Sequence, residues 1–172
     1  MEQTPHAGDP TPVTRPGTVA VRAFDHVGMS VPDLDTAVDF FVRGFGARPQ
    51  FRMDRPTDDA VMGAERLGLA SHVQFALAML ELGGSRIELL QWWPARGSST
   101  PPDADLAGGS HVALDVADVA AALKVLRSFE GVEVVGEPVT FAPGATPGLT
   151  NAFVRTPWGA LIELVTWQGA GH

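Results

Sequence analysis

The chain has 172 residues, 45% of them hydrophobic, and 20 acidic against 12 basic side chains give a net charge of −8. That is apolar material enough for one compact domain or two small fused units, and an acidic surface repels a phosphate backbone, which argues against nucleic acid as a partner. The absence of cysteine excludes disulfides, thiolate metal ligands and a cysteine nucleophile, and no apolar run approaches the roughly 20 residues of a membrane helix.

Residues 1–20 are rich in Pro, Thr and Gly. They lack the basic start and apolar segment of a secretory signal and read as a flexible tail; a cytoplasmic protein is expected. VRAFDHVGMSV (21–31) has strand composition and stops at a Pro-Asp turn. DLDTAVDFFVRGFG (33–46) reads as a helix. Asp33 is its N-cap, Gly44 and Gly46 are its stops, and Val38, Phe41, Val42 and Phe45 share a face. A strand is expected over 47–53, whereas 54–70 is polar and without a clear period. HVQFALAMLEL (72–82) is a strand or a buried helix; Gly83 and Gly84 make it one arm of a hairpin, with SRIELLQWW (85–93) as the other.

Residues 94–109, rich in Pro, Gly and Ser, form a linker. SHVALDV (110–116) is strand-like. ADVAAALKVLRSFEG (117–131) is a helix capped by Asp118 and stopped at Gly131, with Val119, Ala122, Leu123 and Leu126 on one face. Strand material over 132–141 is broken at Gly136 and Pro138, and 142–150 is a loop, either a lid over a pocket or only a connection. Strands at 151–156 and 160–167 are joined by Pro157-Trp158-Gly159.

The two halves thus run strand, helix, strand, loop, strand pair, and they match at residue level. His26-Val27, Val31 and Asp33 recur 85 positions on as His111-Val112, Val116 and Asp118. Gly84, Ile87-Glu88-Leu89 and Trp92 recur 75 positions on as Gly159, Ile162-Glu163-Leu164 and Trp167. The second copy has therefore lost about ten residues, placed here in the 54–70 region. Strand side chains alternate. The branched residues beside each His and Glu bed the helix, and His26, Glu88, His111 and Glu163 face the other side, among Leu90, Trp92, Leu161, Val165 and Trp167. A few converging polar groups on an apolar, Trp-lined surface make a pocket.

A carboxylate on an apolar strand is costly unless compensated. Arg86 and Arg155 are the nearby cations available for salt bridges. The alternative is a divalent metal: two imidazoles and two carboxylates, with no sulfur, suit Zn, Co, Ni, Mn or Fe. Trp92, Trp167, Asn151 and Arg155 are candidate substrate contacts.

At these residues the chain resembles the vicinal oxygen chelate superfamily, which includes glyoxalase I, methylmalonyl-CoA epimerase, extradiol dioxygenases, and fosfomycin and bleomycin resistance proteins. The resemblance is carried by FDHVGMSVPDLDTAVDFF, GSRIELL, GSHVALDVADVAAAL and TPWGALIELV, and spans roughly residues 22–168. It implies an α+β fold: one domain, 21–168, of two tandem βαβββ modules (21–93 and 110–168) forming one curved eight-stranded mixed sheet with a metal in its concavity. It places His26, Glu88, His111 and Glu163 on the four ligand positions. An acid at Glu88 is similar to the glyoxalase and epimerase branches. That implies isomerase, epimerase or lyase chemistry on a small carbonyl or thioester-like substrate, the metal polarising the carbonyl while a neighbouring proton is removed. Gln74 falls where the epimerase branch carries a basic Glu; an amide cannot take a proton, so Glu163, Glu88 and His72 are the candidate bases and Gln74 is a substrate contact. No segment resembles the glutathione grip of glyoxalase I. The alternatives are an Fe(II) dioxygenase and a metal-free antibiotic-binding protein. A homodimer is expected from the resemblance, with the site either within one chain or shared between two.

Overall fold

The computed structural model describes residues 19–54, 65–70, 72–98, 100–142 and 146–167. Most of the expected tail, the core of the 54–70 region and the middle of the 142–150 loop lie outside them. Module one comprises β1 (His26–Ser30), α1 (Leu34–Phe45), β2 (Arg48–Met53), β3 (Gln74–Leu82) and β4 (Ser85–Trp93). Module two comprises β5 (His111–Asp115), α2 (Val119–Leu126), β6 (Glu133–Thr140), β7 (Leu149–Arg155) and β8 (Leu161–Trp167). The fold is α+β, with tandem βαβββ modules. The eight strands form two four-stranded mixed sheets, one per module, ordered β1-β4-β3-β2 and β5-β8-β7-β6. In each, the first strand pairs parallel with the last, placing Gly28 beside Glu88 and Ala113 beside Glu163. Among the described residues no helix is long and apolar enough to cross a membrane.

Local chemistry sets the element ends. The 72–82 segment is a strand because its hairpin with β4 runs in unbroken register from Gln74↔Trp93 to Leu82↔Ser85. Helix α1 starts where the Asp33 carboxylate accepts from Thr36 N at 2.8 Å; α2 starts the same way at Asp118, which accepts from Ala121 N at 2.9 Å. Gly46 ends α1 in the left-handed region at φ 69°, a conformation that favours glycine. Gly44, expected as a stop, lies inside the helix. It faces module two, where a Cβ would stand in ordinary contact, 3.4 Å from Leu126 and 3.7 Å from Phe129. Helix α2 ends at Leu126, before the expected Gly131, and the chain continues in turns. The break in β6 is a register shift between Val135 and Val139.

One apolar core joins the modules. Leu34, Ala37, Phe40 and Phe41 form the buried face of α1, rotated from the expected Val38-Phe41-Val42-Phe45 stripe so that Phe40 points between the modules. Its ring lies edge-on, 5.4 Å from Trp158 and 5.9 Å from Phe129. Val119, Leu123 and Leu126 of α2 pack into the same cluster, with Ile87, Leu89, Ile162 and Leu164 from the last strands. Both helix-bearing sheet faces are therefore consumed by the core, and alternation turns Glu88 and Glu163 away from it.

Candidate metal centre

Each module sets one imidazole against one carboxylate. In module one, Nε2 of His26 lies 3.8 Å from Oε2 of Glu88. In module two, Nε2 of His111 lies 3.4 Å from Oε2 of Glu163. The imidazoles are the open members, 37% and 47% exposed against 23% and 14% for their carboxylate partners. Expectation and structure part on one point. Among the described residues no group of three or more His, Asp or Glu side chains is close enough to hold one ion, so the four residues stand as two pairs within the chain.

The pairs have different surroundings. On His26, Nδ1 lies 2.7 Å from Oδ2 of Asp25. An ionised carboxylate can only accept, so Nδ1 donates to Asp25 and Nε2 is the nitrogen that faces Glu88. Asp25 in turn bonds the guanidinium of Arg86, and the His26 hydrogen bond, with Arg86 beside it, holds the Asp25 carboxyl below its usual range. On Glu163, Oε1 accepts from Nδ2 of Asn151 at 2.6 Å, so Oε2 alone faces His111. His111 also meets the edge of the Phe153 ring, 6.1 Å away, and Phe153 is the cross-strand partner of Glu163. The cross-strand partner of Glu88 is Met79, and no described residue donates a hydrogen bond to Glu88.

The arginines do not neutralise these acids. Arg86 pairs with Asp25 and Arg155 with Asp103; among the described residues neither Glu88 nor Glu163 has a Lys or Arg partner. The donor chemistry fits a divalent ion. Two donors each about 2.1 Å from one ion stand roughly 3.0–3.4 Å apart at right-angled to tetrahedral geometry, matching the module-two pair and falling just short of the module-one pair. Gly28 lies beside Glu88, where a Cβ would stand in ordinary contact, 3.4 Å from its Oε2.

The remaining candidates scatter. His72 sits exposed on a turn before β3. Gln74 opens β3 opposite Trp93, and alternation puts it on the face away from Glu88. Trp92 shares the Glu88 face, donates from Nε1 to Oγ of Ser30 at 2.9 Å and packs at a tilt of 50° against the Phe75 ring, 5.0 Å away. Trp167 shares the Glu163 face and is 39% exposed. A cleft of about 550 Å³ runs between β1, the linker and the start of β5, taking in Trp92 and His111 but none of the other three paired residues; its size suits a small molecule. Sequence reasoning missed Asp25, Ser30 and Phe153. The register could have exposed Phe153, because it falls opposite Glu163 in the β7–β8 hairpin. Asp25 carried one signal only, its adjacency to His26.

Comparison with known proteins agrees with this architecture. A profile described as Glyoxalase/Bleomycin resistance protein/Dioxygenase superfamily matches residues 23–164. The chain is 37% identical over 152 residues to a 2-epi-5-epi-valiolone epimerase from Actinomyces sp, covering 87% of this chain and 80% of that protein. Among solved structures, a glyoxalase family protein from Bacillus cereus superposes with a TM-score of 0.76 at 24% identity, covering 91% of this chain and all of the other. A glyoxalase I mutant from Zea mays superposes with a TM-score of 0.59 at 21% identity, over 81% of this chain and 43% of its own. With the family profile spanning nearly every described residue, this chain belongs to the glyoxalase/bleomycin resistance protein/dioxygenase superfamily.

Proposed function

We propose that the protein is a divalent-metal-dependent epimerase acting at the carbon beside a ketone, on a hydroxylated cyclic substrate of the valiolone kind. The observation that carries this reading is the matched His–Glu pair in each module, free of any arginine or lysine partner among the described residues. The 37% identity to a protein named for epimerising such a ketone supports the substrate class.

His26, Glu88, His111 and Glu163 would hold the ion, which when bound polarises the carbonyl and stabilises the charge that develops on its oxygen. The protein moves the proton. Glu88, beside Leu90 and opposite Met79, accepts no amide hydrogen bond among the described residues and takes the proton in this reading; Glu163 is engaged by Asn151. The exposed His72 is not needed. Trp92 and Trp167 wall the two halves and limit water.

Because the pairs stand apart within one chain, the reading includes a homodimer in which His26 and Glu88 of one copy meet His111 and Glu163 of the other. Two-fold pairing would build two such sites. Mixing His26→Ala chains with His111→Ala chains tests it: a shared site regains about a quarter of native activity in the mixture, from the one intact site of each hybrid dimer, whereas a site within one chain regains none. The activity test is 2-epi-5-epi-valiolone in D2O with and without added Zn, Co, Ni or Mn, read by NMR. Deuterium entering beside the carbonyl, with the epimer accumulating only in metal-loaded samples, is expected. Protein that takes up no metal and exchanges no proton sinks the reading.

A further inference from the structure

The two half-sites are built from the same repeat, yet each ties down a different one of its donors. Module one secures its imidazole: Asp25 Oδ2 lies 2.7 Å from His26 Nδ1, and Arg86 braces Asp25 from the neighbouring strand. Glu88 is left without a hydrogen-bond donor among the described residues. Module two does the reverse. Asn151 Nδ2 donates to Glu163 Oε1 at 2.6 Å, while no hydrogen bond to the His111 ring occurs among the described residues. Register explains how this arose. Asn151 stands opposite Val165, two positions beyond Glu163, whereas Leu77 stands opposite Leu90, two positions beyond Glu88. Asn151 is thus the counterpart of Leu77, and one polar residue at that place separates the two carboxylates. At the His end, Asp25 precedes His26 where Ser110 precedes His111.

We propose that Asn151 and Asp25 are the positioning residues of the metal centre, Asn151 fixing Glu163 so that only Oε2 reaches the ion and Asp25 fixing His26 so that Nε2 does. This rests on the metal-dependent reading above. A site shared by two copies then receives one fixed and one adjustable donor from each. The fixed pair, His26 and Glu163, sets where the ion sits; the adjustable pair, Glu88 and His111, can shift as substrate enters and proton moves. Partners that orient a metal ligand are worth about 10–100-fold in metal affinity.

The test is a cobalt(II) titration of the full chain followed by visible absorbance, beside thermal unfolding of the metal-free protein. Asn151→Leu, which copies module one, and Asp25→Ala should each weaken cobalt binding by about 10–100-fold. Their effects should multiply in the double variant, because they act on different donors. Asn151→Gln, which keeps an amide donor, should recover part of the loss. The metal-free melting midpoints should stay at the native value, which separates positioning from a merely structural role. Cobalt affinity of Asn151→Leu and Asp25→Ala within about twofold of native would overturn the proposal, as would a loss of metal-free stability that accounts for the weaker binding. If the native protein itself binds no cobalt, the metal-dependent reading fails and the proposal with it, a result distinguishable from native binding that the substitutions leave untouched.

Discussion

Module one and module two fold by one plan and differ where chemistry is concerned. Their helices are capped alike, by Asp33 and Asp118. Their first strands place a small residue beside the acid, Gly28 and Ala113. Yet Glu88 faces Met79 and Leu77 across the hairpin, and Glu163 faces Phe153 and Asn151. The comparison teaches that duplication fixes which residue types arrive at a site, while the cross-strand neighbours decide what each is free to do. The same carboxylate is held by a side-chain amide in one copy and, among the described residues, by none in the other.

The largest expected effect would break the comparison outright. Glu88→Gln keeps an oxygen donor but cannot take a proton, so deuterium exchange in cobalt-saturated protein should fall by about 10²–10⁴-fold. Glu163→Gln should instead lose metal first. If exchange survives Glu88→Gln and disappears in metal-saturated Glu163→Gln, the roles are reversed.

Phe40 tests whether the modules are one body. Its ring touches Phe129 and Trp158 of module two, so Phe40→Ala should cost about 3–5 kcal/mol in urea unfolding, in a single transition reported by both halves. A second transition, with module two unfolding at its native midpoint, would separate them.

The caps sharpen the likeness. Asp33→Ala and Asp118→Ala should each cost about 1 kcal/mol. The hydrogen bond from Thr36 holds the Asp33 carboxyl below the usual 3.8. Its folded value is therefore the lower one, and its contribution is full above the unfolded value and lost as pH falls through the folded one. The stability gap between the native protein and Asp33→Ala, measured by denaturant titration, should be constant near neutrality and close progressively below pH 3.8.

Smallest is Gly28→Ala, which gives module one the residue of module two. A Cβ there would stand 3.4 Å from Glu88 Oε2 and 3.8 Å from Leu90, ordinary contacts. Stability should move by no more than about 0.5 kcal/mol, with cobalt affinity unchanged. A clear loss of affinity would mean that Glu88 needs the open space.

Much of this was legible in the chain. The repeat of His-Val and Ile-Glu-Leu located the four candidate donors, and period-two alternation put them on the face away from the helices, where burial of Ile87, Leu89, Ile162 and Leu164 confirms the sense of that alternation. Helix starts were legible because an Asp cap is a local hydrogen bond. Gly44 was misread because its surroundings are not local: it faces Leu126 and Phe129, more than eighty residues away. The buried face of α1 was misplaced by one position for a similar cause, since Phe40 answers to Trp158 rather than to its own sheet alone. Gln74 looked like a substrate contact from its place in the chain, and strand parity turned it to the other side.

The sequence by itself determined the duplicated module, the α+β class, the acidic cysteine-free character and the identity of the paired imidazoles and carboxylates. These depend on residue type and short spacing, which a linear chain carries in full. Only the tertiary structure decided that the two modules share one core through Phe40, that His26 and Glu88 stand apart from His111 and Glu163 within a chain, and that Asn151 tethers one acid while Asp25 steadies one histidine. Those facts rest on cross-strand register and on packing between distant segments, where a shift of one residue exchanges one neighbour for another without changing any local pattern.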